Sequence, residues 1–216
     1  MPKVKIPRKS TTIDMTAMCD VAFLLLSFFI LATKTKPPEA VAIDIPSSVQ
    51  SKVAAEKAIV VSLAKDGKVY LLLNDETHKA KVIDKINTNR QLGLSTDEKN
   101  KLAGKEFIGM PLPQLKGWLD SDTPIPAENM PGIPVSDSLN NELTDWIRAV
   151  SDAYAGEDAK SMEILVKGDN KALYPFFKDI KTAFKKNDIY KFKIITNPEG
   201  VPTDSELFRN PPKSEN

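Results

Sequence analysis

Apolar positions are spread very unevenly along this chain. Residues 21–32 read Val-Ala-Phe-Leu-Leu-Leu-Ser-Phe-Phe-Ile-Leu-Ala, with Ser27 as the sole polar residue. A helix needs about 20 residues to cross a hydrocarbon layer of ~30 Å. The run reaches that length, over 15–33, only by taking in Asp20. The pattern therefore predicts a transmembrane helix that carries a carboxylate. Nowhere else is the chain so continuously apolar.

Beyond the run the rhythm shortens. Lys36-Pro37-Pro38-Glu39 stops the helix and starts an extended linker, 34–57. Within it Val41, Ile43 and Ile45 alternate with polar or small residues up to Pro46, which predicts a short strand over 41–46. Two β-branched and apolar runs, 58–63 and 69–73, flank Lys65-Asp66-Gly67-Lys68 and predict a hairpin, since a tight turn wants Gly at a positive φ. Residues 81–91 read as a helix on Val82, Ile83 and Ile86. Ser95 and Glu98 have capping-box spacing, so a helix starts at Thr96. A proline-dense stretch from Pro111 to Pro134 reads as a rigid loop with a short helix over 114–119. Leu139, Leu143, Trp146, Ile147, Val150 and Tyr154 recur at helical spacing, with Ser138 as cap.

The last third predicts strand, helix and strand. These are 162–166, then a helix entered at Pro175 with Phe176, Phe177, Ile180, Ala183 and Phe184 on its inner face and Asn187 at its end, then 190–195. Such short connections imply a parallel pair with a right-handed crossover. The fold class is α+β: one transmembrane helix, then a domain over 58–197 whose mixed sheet combines the hairpin with the βαβ unit, helices on one face. Residues 77–161 lie within it between the hairpin and the βαβ unit, and 198–216 read as a disordered tail.

Composition narrows the chemistry. The net charge of +1 gives no bulk case for nucleic acid. One cysteine, Cys19, excludes an internal disulfide and a cysteine-built zinc site, and one histidine, His78, excludes multi-histidine metal sites. Phosphate-loop, dinucleotide, nucleophile-elbow and zinc-protease motifs are all missing. The chain thus reads as a non-enzyme without cofactor or metal. Cys19 reads as an inert small residue, His78 as an exposed loop residue, and Asp169 as the holder of a turn. Lys3, Lys5, Arg8 and Lys9 precede the helix and favour a cytoplasmic tail over 1–14, which puts the rest on the far side.

Asp20 carries the candidate chemistry. A carboxylate at membrane depth costs about 2.5–3.5 kcal/mol on insertion scales, so its default reading is functional. Desolvation raises such a group's pKa and lets it cycle between neutral and charged forms, the minimum requirement of a proton carrier. Thr16, Leu24, Ser27 and Leu31 share its helical stripe and make a candidate pore-facing surface with it. Plainer readings stand beside this. Asp20 snorkels to the headgroups, Ser27 bonds its own helix backbone, or the apolar run is a signal peptide, against which Asp20 and the Leu31-Ala32-Thr33-Lys34 exit count.

The order of these features resembles the ExbD/TolR family of membrane energisers. The resemblance rests on Asp20-Val21-Ala22-Phe23-Leu24-Leu25-Leu26 at the start of the single span and on Ile43-Asp44-Ile45-Pro46 after it. It continues in the hairpin over 59–73, then 164–169, Tyr174, 176–186 and 190–196. The stretch 77–161 is longer than in compact members and is similar to extended Bacteroidetes-like versions. The resemblance implies a stator subunit of the bacterial inner membrane, N-terminus in the cytoplasm and folded domain in the periplasm. Two copies would pass their helices through an ExbB/TolQ-like multi-span channel, with Asp20 translocating protons to drive a TonB- or TolA-like transducer. Ile43, Asp44, Ile45 and Pro46 read as a partner-binding strand. The competing class is a membrane-anchored periplasmic binding module whose helix is only an anchor.

Overall fold

The structure is a computed structural model that describes residues 15–32, 41–48, 57–121, 125–135, 141–156 and 161–198. It divides into two compact units, residues 1–38 and 39–216. The first contains α1 (Met15–Ala32), an 18-residue helix that buries none of its side chains within the chain. Its length is about 27 Å at 1.5 Å per residue.

The second unit is built on a four-stranded sheet. The hairpin forms as its sequence predicts, from β2 (Ile59–Leu63) and β3 (Val69–Leu73), paired antiparallel with Ile59 opposite Leu73. Gly67 takes φ +86° in the turn, where the Asp66 side chain accepts a bond from the Lys68 amide. β4 (Ile164–Gly168) lies parallel to β2, and β5 (Lys193–Ile194) lies parallel to β4, giving the order β3-β2-β4-β5. α6 (Tyr174–Lys185) connects β4 to β5. The mixed sheet of hairpin plus βαβ unit is thus present.

Strand alternation sorts the side chains into two faces. Ile59, Val61, Leu63, Leu71, Leu73, Ile164 and Val166 join a single large core with residues of every helix of this unit. Val60 and Leu165 sit with Ala58 in a small cluster on the other face, against half-buried Leu72 and Ile195. The helices therefore cover one face. α6 contributes Ile180, Ala183 and Phe184 fully, whereas Phe176 and Phe177 are only half-buried.

The insertion is helical. α2 (Glu76–Arg90) buries Val82, Ile83 and Ile86 as expected but starts five residues earlier than its periodicity indicates, because Asp75 caps it through the Thr77 amide. α3 (Thr96–Ala103) opens with both halves of the Ser95–Glu98 capping box. That bond from the Ser95 amide holds the Glu98 carboxyl below its usual range. α4 (Leu112–Asp120) extends the expected short helix. α5 (Glu142–Ala153) is capped by Asn141, not Ser138, which with Leu139 lies outside the described residues. Asn141 displaces the more distant serine because its side chain reaches the Thr144 amide at 3.2 Å.

Two strand expectations need correction. Residues 41–46 form no strand. Their backbone groups bond to a turn and to Asn197, and the paired residues lie just beyond, where β1 (Ser47–Ser48) runs parallel to β6 (Asn197–Pro198). The final strand is also shorter than 190–195, because only Lys193 and Ile194 reach β4 in register.

Candidate functional site

The candidate proton site is one turn and a half into α1. Asp20 lies about 7–8 Å along the axis from Met15. Phe23 and Leu24, three and four residues on, neighbour it on the helix surface and are exposed within the chain. Thr16, Asp20, Leu24, Ser27 and Leu31 advance by three or four residues and share a stripe. Ser27 donates to the Leu24 carbonyl at 2.9 Å, so its hydroxyl is committed to its own helix. Leu31 is 86% exposed. A helix apolar all round, with its side chains unburied, needs lipid or another protein around it.

The linker residues have a definite place in the second unit. The Asp44 carbonyl accepts from the Asn170 amide at 2.7 Å, and the Asp44 amide donates to Asp169 Oδ2 at 3.2 Å. The Ile45 and Pro46 carbonyls accept from the Asn197 side chain and amide. Asp169 does hold its turn, through the Lys171 amide at 2.8 Å. That bond, with the Asp44 amide behind it, keeps the Asp169 carboxyl below its usual range. Val41, Ile43 and Asp44 together with Lys65, Lys68 and Lys171 line an open cavity of about 720 Å³. Sequence reading put Ile43, Asp44, Ile45 and Pro46 against another chain, whereas here the groups of Asp44, Ile45 and Pro46 named above are bonded within their own.

His78 is not an exposed loop residue. It lies on α2, 8% exposed, with Nδ1 2.7 Å from Asp75 Oδ2 and its ring stacked on Tyr154 at 4.0 Å. Tyr154 also donates to Asp75 Oδ2, at 3.2 Å. Burial pushes the Asp75 carboxyl up, but the bonds from His78, Thr77 and Tyr154 outweigh it and leave it lowered. The signal in the sequence was Asp75-Glu76-Thr77-His78, an acid before a helix with a partner three residues on, and it was hidden by the polar composition around it. Among the described residues no group of three His, Cys, Asp or Glu side chains could hold a metal. Cys19 is exposed on α1.

No curated protein and no solved structure gives a significant match to this chain. A family model does: the biopolymer transport protein ExbD/TolR family matches residues 7–199, which takes in α1, the linker, the sheet and the whole insertion. The chain is therefore a member of the ExbD/TolR family of biopolymer transport proteins.

Proposed function

We propose that this protein is the proton-conducting stator subunit of an inner-membrane energy transducer. One observation carries the reading: an ionisable carboxylate, Asp20, within an otherwise apolar helix of spanning length. An ionisable group at membrane depth marks an ion path by default, and Asp20 passes protons between the aqueous sides of the membrane. The partner is an ExbB/TolQ-like multi-span subunit around two copies of α1, with Thr16, Leu24, Ser27 and Leu31 lining the proton path beside Asp20. The second unit faces the periplasm and transmits the motion to a TonB- or TolA-like protein. Ile43, Asp44, Ile45 and Pro46 lie on the chain between helix and sheet, and contact a partner when their internal bonds open. The protein acts without catalysis of its own.

The test compares Asp20→Asn, Asp20→Glu and Asp20→Leu in cells, reading co-purification with the multi-span partner and energy-dependent uptake separately. Asp20→Asn keeps size and hydrogen bonding but cannot cycle charge. It should assemble normally and abolish uptake, while Asp20→Glu keeps part of it. Normal uptake with Asp20→Asn or Asp20→Leu would reduce α1 to an anchor.

A further inference from the structure

Three helices of the insertion converge on one small cavity. Arg90 and Leu92 come from the C-terminal end of α2, Leu112 and Pro113 from the first turn of α4, and Glu142 from the first turn of α5. Leu92 is set there by Gln91, which ends α2 at φ +51°, and by its own amide, which donates to the Asn87 carbonyl at 3.1 Å. The cavity holds about 220 Å³. Sites for drug-sized ligands hold about 300–1,000 Å³, so this one takes a single short chain.

Glu142 gives the cavity its charge. It is 5% exposed, and its Oε2 accepts from the Leu112 amide at 2.7 Å. That bond serves as a helix cap, since Pro111, which precedes α4, makes no side-chain bond to it. Oε1 has no hydrogen-bond partner among the described residues, yet unlike Thr144 Oγ1 and Trp146 Nε1 it is not sealed from solvent. A capping role therefore accounts for one oxygen and leaves the other open. The Arg90 guanidinium is committed to Asp145, and these two charges offset each other. Glu142 thus leaves one negative charge in excess, and burial pushes its carboxyl up.

We infer that this cavity binds a primary ammonium group on a short unbranched aliphatic chain, the ammonium donating to Glu142 Oε1 and the chain lying against Leu92, Leu112 and Pro113. The single open oxygen selects the ligand class. Calcium and magnesium each need about six or more oxygen ligands, which this site does not offer. A guanidinium pairs best with both oxygens of a carboxylate, and the Leu112 amide already holds one. An ammonium is a compact point charge that one oxygen serves, and it can be carried by a free amine or by a lysine side chain. The inference goes beyond the stator reading and does not depend on Asp20, because binding is measured without a proton gradient.

The test titrates the full chain, ¹⁵N-labelled in uncharged detergent micelles and amine-free buffer, and follows the amide signals of Leu92, Leu112 and Glu142 by NMR. The probes are n-pentylamine and, for a lysine side chain, Nα-acetyl-lysine N-methylamide. Pentanol, pentanoate and n-butylguanidine are the controls. Pentylamine should give saturable shifts at these three amides and bind about tenfold or more tightly than any control. Glu142→Gln keeps the acceptor for Leu112 and hence the fold, and should weaken pentylamine about tenfold or more with the rest of the spectrum unchanged. Binding of the blocked lysine as well would make a partner's side chain a possible source, whereas binding of pentylamine alone would restrict the site to free amines. Equal shifts from pentylamine and pentanol, or undiminished binding by Glu142→Gln, would overturn the assignment and leave Glu142 a helix cap only.

Discussion

Tyr154 donates its hydroxyl to the carboxylate of Asp75, 79 positions earlier in the chain, at 3.2 Å. Asp75 stands two residues after β3, and Tyr154 follows α5 directly. One hydrogen bond thus joins the point where the chain leaves the sheet to the end of the insertion's last helix. His78, held between them by its bond to Asp75 and its stacking on Tyr154, completes the clasp.

Replacing Asp75 by Ala should cost about 2–4 kcal/mol, from the lost helix cap and the buried donors left without an acceptor. The folded-state pKa of Asp75 is depressed. Its stabilisation is therefore complete above the unfolded value of ~3.9 and is lost as pH falls through the folded one. Thermal unfolding followed by circular dichroism should show a steeper acid decline in the native chain than in Asp75→Asn.

Glu142 has the opposite sign. It is buried, accepts from the Leu112 amide at 2.7 Å, and burial pushes its carboxyl up. The charged form is disfavoured in the fold, so stability falls as pH rises from the unfolded value through the raised one. Glu142→Gln keeps an acceptor for Leu112 without the charge. It should raise the melting temperature at pH 7 and leave it unchanged near pH 3.

Residues 39–216 should unfold cooperatively without α1, since they form a compact unit of their own. Phe184 is 1% exposed and lies 5.2 Å from the Phe192 ring. Phe184→Ala in this fragment should cost about 3–5 kcal/mol in urea denaturation. A gradual, uncooperative transition in the unsubstituted fragment would refute the division into units.

Gly132 has φ +84°, and a Cβ there would lie 2.9 Å from the Lys68 Cβ. Both facts oppose any side chain where the insertion passes the β3 edge. Gly132→Ala should destabilise the fold by about 1–3 kcal/mol and speed hydrogen exchange at the Ile133 amide, which is bonded to Val69.

Removing the Asp169 carboxylate should loosen the linker. Asp169→Ala takes away the acceptor of the Asp44 amide but not the Asn170 amide that binds the Asp44 carbonyl. Exchange at the Asp44 amide should accelerate by tenfold or more, with the β2 amides unchanged.

Local physics was readable from the sequence alone. The length and composition of α1, the Asp66-Gly67 turn, the Ser95–Glu98 box and the inner stripe of α6 each depend on residues within a few positions of one another, and each is present in the structure. Membership of the ExbD/TolR family followed from the order of such local features. What only the tertiary structure decided depends on partners far along the chain. The 41–46 alternation does not become a strand, because Asn170 and Asn197, more than 120 positions away, take its backbone groups. His78 looked exposed because its surroundings are polar in sequence. It is buried because α5 brings Tyr154 over it, a contact that no periodicity within α2 encodes. The cover on the β3 edge is likewise set by where the insertion packs, and hydrophobic pattern specifies which residues are buried but not which edge they close.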